Sequence, residues 1–130
     1  MNQQISVIVP CIKNSELLNK SIIEYLKIKN LKKVFIVIEN INENTKILNE
    51  KIEYIKVEKN SNMSFKRNLA ARRAETEYLA FYDSDSYPQN PNILEIAIKV
   101  FENDKNIYAL GGPDISPDNQ TLFKRITGKL

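Results

Sequence analysis

Asp83 and Asp85 stand two residues apart, immediately after the apolar run Tyr78-Leu79-Ala80-Phe81-Tyr82. Carboxylates at that spacing suit a hard divalent cation: magnesium or manganese takes one or two of them and completes its shell with phosphates and water. Such a pair would hold a nucleotide diphosphate and neutralise charge on a departing phosphate. An Asp-x-Asp is also a common solvated acidic turn, but its place between a buried strand and a capped helix favours the ligand-binding reading. Lys66-Arg67-Asn68 lies near an expected helix start, where an arginine can grip phosphate through two N–H groups and the helix dipole favours an anion. A solvated helix face explains that triplet equally well. Glu39 closes the apolar run 34–38, where its carboxylate can accept hydrogen bonds from a base or a ribose, or simply terminate a strand.

The residues that are missing narrow the chemistry further. The chain has one cysteine, Cys11, and no histidine. That excludes an internal disulfide, a Cys/His zinc site, and Ser-His or Cys-His nucleophilic machinery. Any metal must therefore be held by oxygen ligands. Cys11 reads as a small buried residue rather than a nucleophile, because no base accompanies it. Net charge is +3, from 19 basic and 16 acidic residues, and the basic residues fall in scattered pairs, so no nucleic-acid partner is expected. No run approaches the roughly 20 apolar residues of a membrane helix, and the N-terminus does not resemble a signal peptide. A soluble, cytoplasmic chain is expected, with any membrane association arising from regions outside it.

The elements that must position these groups follow from hydrophobic pattern. Residues 5–9, 34–38 and 78–82 are short, largely apolar runs, as in strands buried on both faces of a parallel sheet. A half-exposed strand is expected over 52–57 and a fifth over 107–110. Helices are expected over 15–29, near 45–51 and over 64–74. Another is expected from Asn90-Pro91, with Asn90 as cap and Pro91 at the first helical position. The helix over 15–29 carries a stripe of Leu17, Leu18, Ile22, Tyr25 and Leu26. The helix after Pro91 is apolar on most sides and is expected to be well buried. Alternating strands and helices predict an α/β domain with a mainly parallel sheet and helices on both faces. Ligands in such sheets bind at the carboxyl ends of the strands. There the sequence places Pro10-Cys11, Glu39-Asn40 and Asp83-Ser84-Asp85.

Val7-Ile8-Val9-Pro10, the strand ending in Glu39, Lys66-Arg67-Asn68 and the run from Tyr78 to Asp85 occur in an order and spacing that resemble the family-2 inverting glycosyltransferases of the GT-A fold. The resemblance runs from about residue 5 to residue 113. It implies a Rossmann-like, nucleotide-binding half and transfer of a sugar from a UDP- or GDP-sugar to a saccharide or lipid-linked acceptor, with inversion and a manganese or magnesium ion. Carried over by position, it implies that Pro10 and Cys11 line the nucleotide pocket and that Glu39 meets the base or ribose. Arg67 would lie near the base or diphosphate, Asp83 near the ribose or sugar, and Asp85, with Asp83, at the metal. Many such proteins build surface polysaccharides at a membrane. The sequence departs from the family pattern at Ile12-Lys13, where an aromatic residue and Asn are usual, and at Glu39-Asn40, where two aspartates are usual.

The family's catalytic base is an Asp or Glu well beyond the metal motif. Past the double glycine only Asp114 and Asp118 are acidic, and neither has a convincing context. The chain of 130 residues is therefore expected to be a truncated, donor-binding portion that lacks the acceptor half and does not turn over. Two other readings stay open. One is a nucleotidyltransferase, which would usually carry a glycine-rich loop where this chain has Cys11-Ile12-Lys13-Asn14. The other is a non-catalytic α/β interaction module with a degenerate pocket.

Overall fold

The structure is a computed structural model, and it describes residues 3–113 and 115. The elements are β1 (Ile5–Lys13), α1 (Glu16–Tyr25), β2 (Leu31–Asn40), β3 (Ile52–Lys56), α2 (Met63–Arg73), β4 (Tyr78–Phe81) and α3 (Ile93–Asn103). The strands form one parallel sheet in the order β3-β2-β1-β4. The chain divides into a first unit ending at Lys99 and a second starting at Val100. In the second, the last turn of α3 closes through Asp104 N–H to the Val100 carbonyl, and a turn follows to Ile107.

Strand alternation sorts the core of the first unit into two layers. Val7, Val9 and Cys11 of β1 and Val34, Ile36 and Ile38 of β2 face α1, through Leu18, Ile22 and Tyr25, and also Ile98 of α3. Ile8, Phe35, Val37 and Ile55 face the other way, onto Ala70 of α2. The helices thus lie on both faces, as right-handed crossovers require when the chain first moves outward from β1 to β3 and then returns to β4.

Proline sits inside β1. Pro10 pairs in register with Val37 of β2, so β1 continues past it to Lys13 rather than ending there. Pairing with β4 stops at Ile8↔Phe81, and Tyr82 then donates its N–H to the Ile8 carbonyl. Two residues on, Pro10 faces the same side and has no N–H to offer a neighbour. Beyond that level β1 and β4 no longer pair.

Several expectations are corrected. The helix expected near 45–51 is a run of turns, because Asn42 and Asn49 accept from the backbone N–H of Asn44 (3.0 Å) and Lys51 (2.9 Å) and compete with helical bonding. α1 ends at Tyr25, and Leu17 of its expected stripe is 61% exposed. Residues 107–110 make no ladder among the described residues, since a short apolar run does not by itself specify a partner strand. α3 begins at Ile93, and Asn90 instead closes a turn by accepting from Asn92 N–H. Of its residues only Ile98 is fully buried, while Ile93 and Ile96 face solvent, because one side of a helix meets the sheet. β4 alternates: Tyr78, Ala80 and Tyr82 pack on the α1-side core, whereas Leu79 and Phe81 are exposed. The expected helix start at Ser116-Pro117, and Asp114 and Asp118, lie outside the described residues.

Ile36 is fully buried and pairs across to both Val9 and Tyr54. Ile36→Ala is expected to cost about 2–5 kcal/mol, lost transfer energy plus a cavity. Urea denaturation should show a lower midpoint with unchanged slope.

Candidate functional site

The strand order turns back between β1 and β4: β2 and β3 are added on one side of β1, and β4 on the other. That is a topological switch point, where the two connections leave in opposite directions and leave room for a ligand. The carboxyl ends of β1, β2 and β4 carry Cys11 to Asn14, Glu39-Asn40 and Asp83-Ser84-Asp85.

Two consecutive side chains near the start of α2 tie these ends together. α2 starts there because Asn62 caps it, its side chain accepting from Phe65 N–H at 2.7 Å. Lys66 then points inward and has no exposed surface. Its Nζ donates to the Cys11 carbonyl at 2.8 Å and to Glu39 Oε2 at 2.5 Å. The other Glu39 oxygen accepts from Asn60 N–H at 2.6 Å. Asn60 holds a left-handed backbone, φ 66°, which asparagine tolerates better than most residues. These bonds hold the Glu39 carboxyl below its ordinary pKa of 4.5, the Lys66 bond contributing most and the Asn60 N–H next. A buried ammonium is tolerable only with such partners.

The next residue, Arg67, points outward, and its Nη2 lies 3.2 Å from Asp83 Oδ1. Both groups are substantially exposed, so the pair orients Asp83 more than it stabilises the fold. Asp83 to Ser86 form a turn closed by Ser86 N–H to the Asp83 carbonyl at 3.0 Å. Beneath it lies Tyr25 of α1, fully buried, whose hydroxyl is placed to donate to the carbonyls of Asp83 (3.2 Å) and Ser86. Its ring packs on Tyr82 at 5.5 Å between centroids. Asp85 is exposed and has no hydrogen-bond or ion-pair partner among the described residues.

This donor set suits one kind of metal site. No three acidic or sulfur groups converge on a point among the described residues, so those residues offer no all-protein cage. Asp83 and Asp85 are hard oxygen donors open to solvent, which fits a cation that keeps waters and shares its shell with phosphates.

The sequence-predicted residues fall into two groups. Arg67, Asp83 and Asp85 gather at the β4 end, and Glu39 sits at the β2 end with both oxygens engaged. Pro10 and Cys11 are buried rather than open. Burial pushes the Cys11 thiol up to about 12, despite the nearby Lys66, so it is no thiolate nucleophile at neutral pH. Next to them a polar cleft of about 320 Å³ is lined by Lys13, Asn14, Asn40, Ile41, Asn42 and Glu43. Its wall is anchored by Asn14 Oδ1, which accepts from Asn42 N–H at 2.7 Å.

The sequence matches the Glycosyl transferase family 2 profile over residues 6–129. The chain belongs to glycosyltransferase family 2. The fold of this family-2 chain is similar to the crystal structure of Staphylococcus aureus TarS residues 1–349, with a TM-score of 0.64 and 20% sequence identity. The match covers 88% of this chain and 40% of that one, so the family-2 chain spans well under half the length of that relative. No curated protein matches the sequence. No helix among the described residues is long and apolar enough to cross a membrane.

Three residues tie the strand ends together in ways the sequence reading did not give: Tyr25, read there as part of a core stripe, Lys66, read with Arg67 and Asn68 as able to face phosphate, and Asn60. Lys66 left one signal, since it lies one turn before the buried Ala70 and so shares its inward face. Because the folded pKa of Glu39 lies below 4.5, the pair's contribution to stability is complete above that value and is lost as pH falls through the lowered one. Lys66→Met should lower the urea midpoint by stranding Glu39, and adding Glu39→Leu should recover part of the loss. The stability gap between the unaltered chain and Glu39→Gln should shrink as pH is taken down through 4.5. A gap that widens with acid would contradict the assignment.

Proposed function

We propose that this chain supplies the donor-binding end of a sugar transferase that moves a sugar from a nucleotide-diphospho-sugar to an acceptor hydroxyl with inversion, assisted by manganese or magnesium. One observation supports this reading above the others: within a family-2 chain, an exposed acidic turn with a free Asp85 stands at the β1/β4 switch point, and Arg67 lies beside it. UDP- and GDP-sugars are the donors in view, and a saccharide or lipid-linked alcohol the acceptor.

In the proposed reaction the acceptor oxygen forms a bond to the anomeric carbon as the bond from that carbon to the diphosphate oxygen breaks. The nucleoside diphosphate leaves with the electron pair, and the acceptor proton passes to a base. A bound divalent cation would supply charge neutralisation for the leaving diphosphate. Asp85 and Asp83 would hold that cation, and Arg67 would meet the diphosphate or base. Glu39, kept ionised by Lys66 and Asn60, retains acceptor lone pairs for a ribose hydroxyl or a base N–H. We assign no described residue as the base.

The commitment of both Glu39 oxygens to protein donors favours one competing reading, an interaction module whose pocket no longer takes nucleotide. Calorimetric titration of UDP and GDP, with and without manganese, separates the two. Manganese-dependent binding that Asp85→Ala weakens by about tenfold or more, roughly 1.4 kcal/mol, is the expected result. No nucleotide binding under any condition would sink the donor-site reading in favour of the module.

A further inference from the structure

The acidic turn has a support from an unexpected quarter. Tyr25 lies on α1, 58 residues before Asp83 in sequence, and is among the largest fully buried side chains. Its hydroxyl crosses the α1-side core and meets two backbone carbonyls, those of Asp83 and Ser86, at the two ends of the turn that carries both carboxylates. The turn's own closing bond, Ser86 N–H to the Asp83 carbonyl, shares an acceptor with it. A polar group in this setting is retained at a cost unless it is satisfied. Phenylalanine would fill the same space and keep the ring contact with Tyr82. Packing alone therefore does not call for the hydroxyl.

We infer that Tyr25 is a positioning residue for the metal-diphosphate end of the site: its hydroxyl fixes the backbone of Asp83 to Ser86, and so the angle at which Asp83 and Asp85 leave the sheet. This role rests on the donor-site reading above. Asp83 is then held twice, through its backbone by Tyr25 and through its side chain by Arg67. Asp85 has no protein partner among the described residues, and its direction comes from the turn alone. The consequence is selective. Loss of the hydroxyl should loosen metal-dependent binding and leave contacts at the β1 and β2 ends intact.

The test compares the full chain, Tyr25→Phe and Ile22→Val, a neighbouring core truncation on α1 that keeps the hydroxyl. Affinities for UDP and GDP are measured by calorimetry with and without manganese, together with melting temperature and amide exchange at Ser86. The expected result for Tyr25→Phe is about a tenfold or greater loss of manganese-dependent affinity, with metal-free affinity retained and faster Ser86 exchange. Ile22→Val should lower the melting temperature and leave the manganese dependence unchanged. Full retention of the manganese effect in Tyr25→Phe overturns the role assigned to Tyr25 and leaves the donor-site reading standing. Equal loss with and without metal, or the same loss in Ile22→Val, shows a general structural role and also overturns it. Absence of nucleotide binding in the unaltered chain overturns the donor-site reading and this role with it.

Discussion

Every parallel strand in the middle of a sheet must have both faces covered, since the crossover connections that make it parallel also lay helices over it. β1 is where this constraint is most complete: residues 5–11 are all buried, between α1 on one face and α2 on the other. The sheet can grow on either side of β1, and it grows on both, first toward β3 and then toward β4. The reversal makes neighbouring connections diverge at the carboxyl edge between β1 and β4, and pairing with β4 ends at Ile8↔Phe81, two residues before Pro10. The switch point is therefore a product of topology, and the missing N–H of Pro10 suits the end of pairing there.

At the carboxyl ends of the strands, polar groups are organised by burial rather than by proximity in sequence. A lysine with no exposed surface binds the β1 end to the β2 end, and the following arginine reaches the acidic turn. Their opposite directions follow from helix geometry, because successive residues are rotated by roughly 100°. One short helix thus sets a closed ion pair on its inner side and an open one at the surface. The closed pair costs desolvation that only its full complement of partners offsets. The open pair can exchange its carboxylate for a phosphate with little penalty, because water already screens it.

Tyr25 extends the same logic across the core. The acidic turn is exposed and short, and its own closing hydrogen bond is weak support in water. The backbone carbonyls beneath it are met by a hydroxyl rooted in a packed helix, which lends the turn the rigidity of the layer below. Two carboxylates proposed to share one cation would gain more from such pre-ordering than from additional surface contacts.

The sequence by itself determined the α/β class, the strands at the start of the chain and before Asp83, and the positions of Glu39, Arg67, Asp83 and Asp85 at strand and helix ends. These are written in local periodicity and in the change from apolar to polar residues at a strand end, which need no knowledge of distant neighbours. It misread 45–51 and 107–110, where turn-forming asparagines or the absence of a ladder partner outweighed a short apolar pattern. Only the tertiary structure decided that Lys66 is buried, that Glu39 already has two donors, that Cys11 offers its carbonyl rather than its thiol, and that Tyr25 stands under the acidic turn. Each of these depends on contacts between residues 21 to 61 positions apart, brought together by strand order. A lysine or tyrosine reads the same in a sequence whether its polar end meets water or a buried carbonyl; burial and partner are properties of the packed chain.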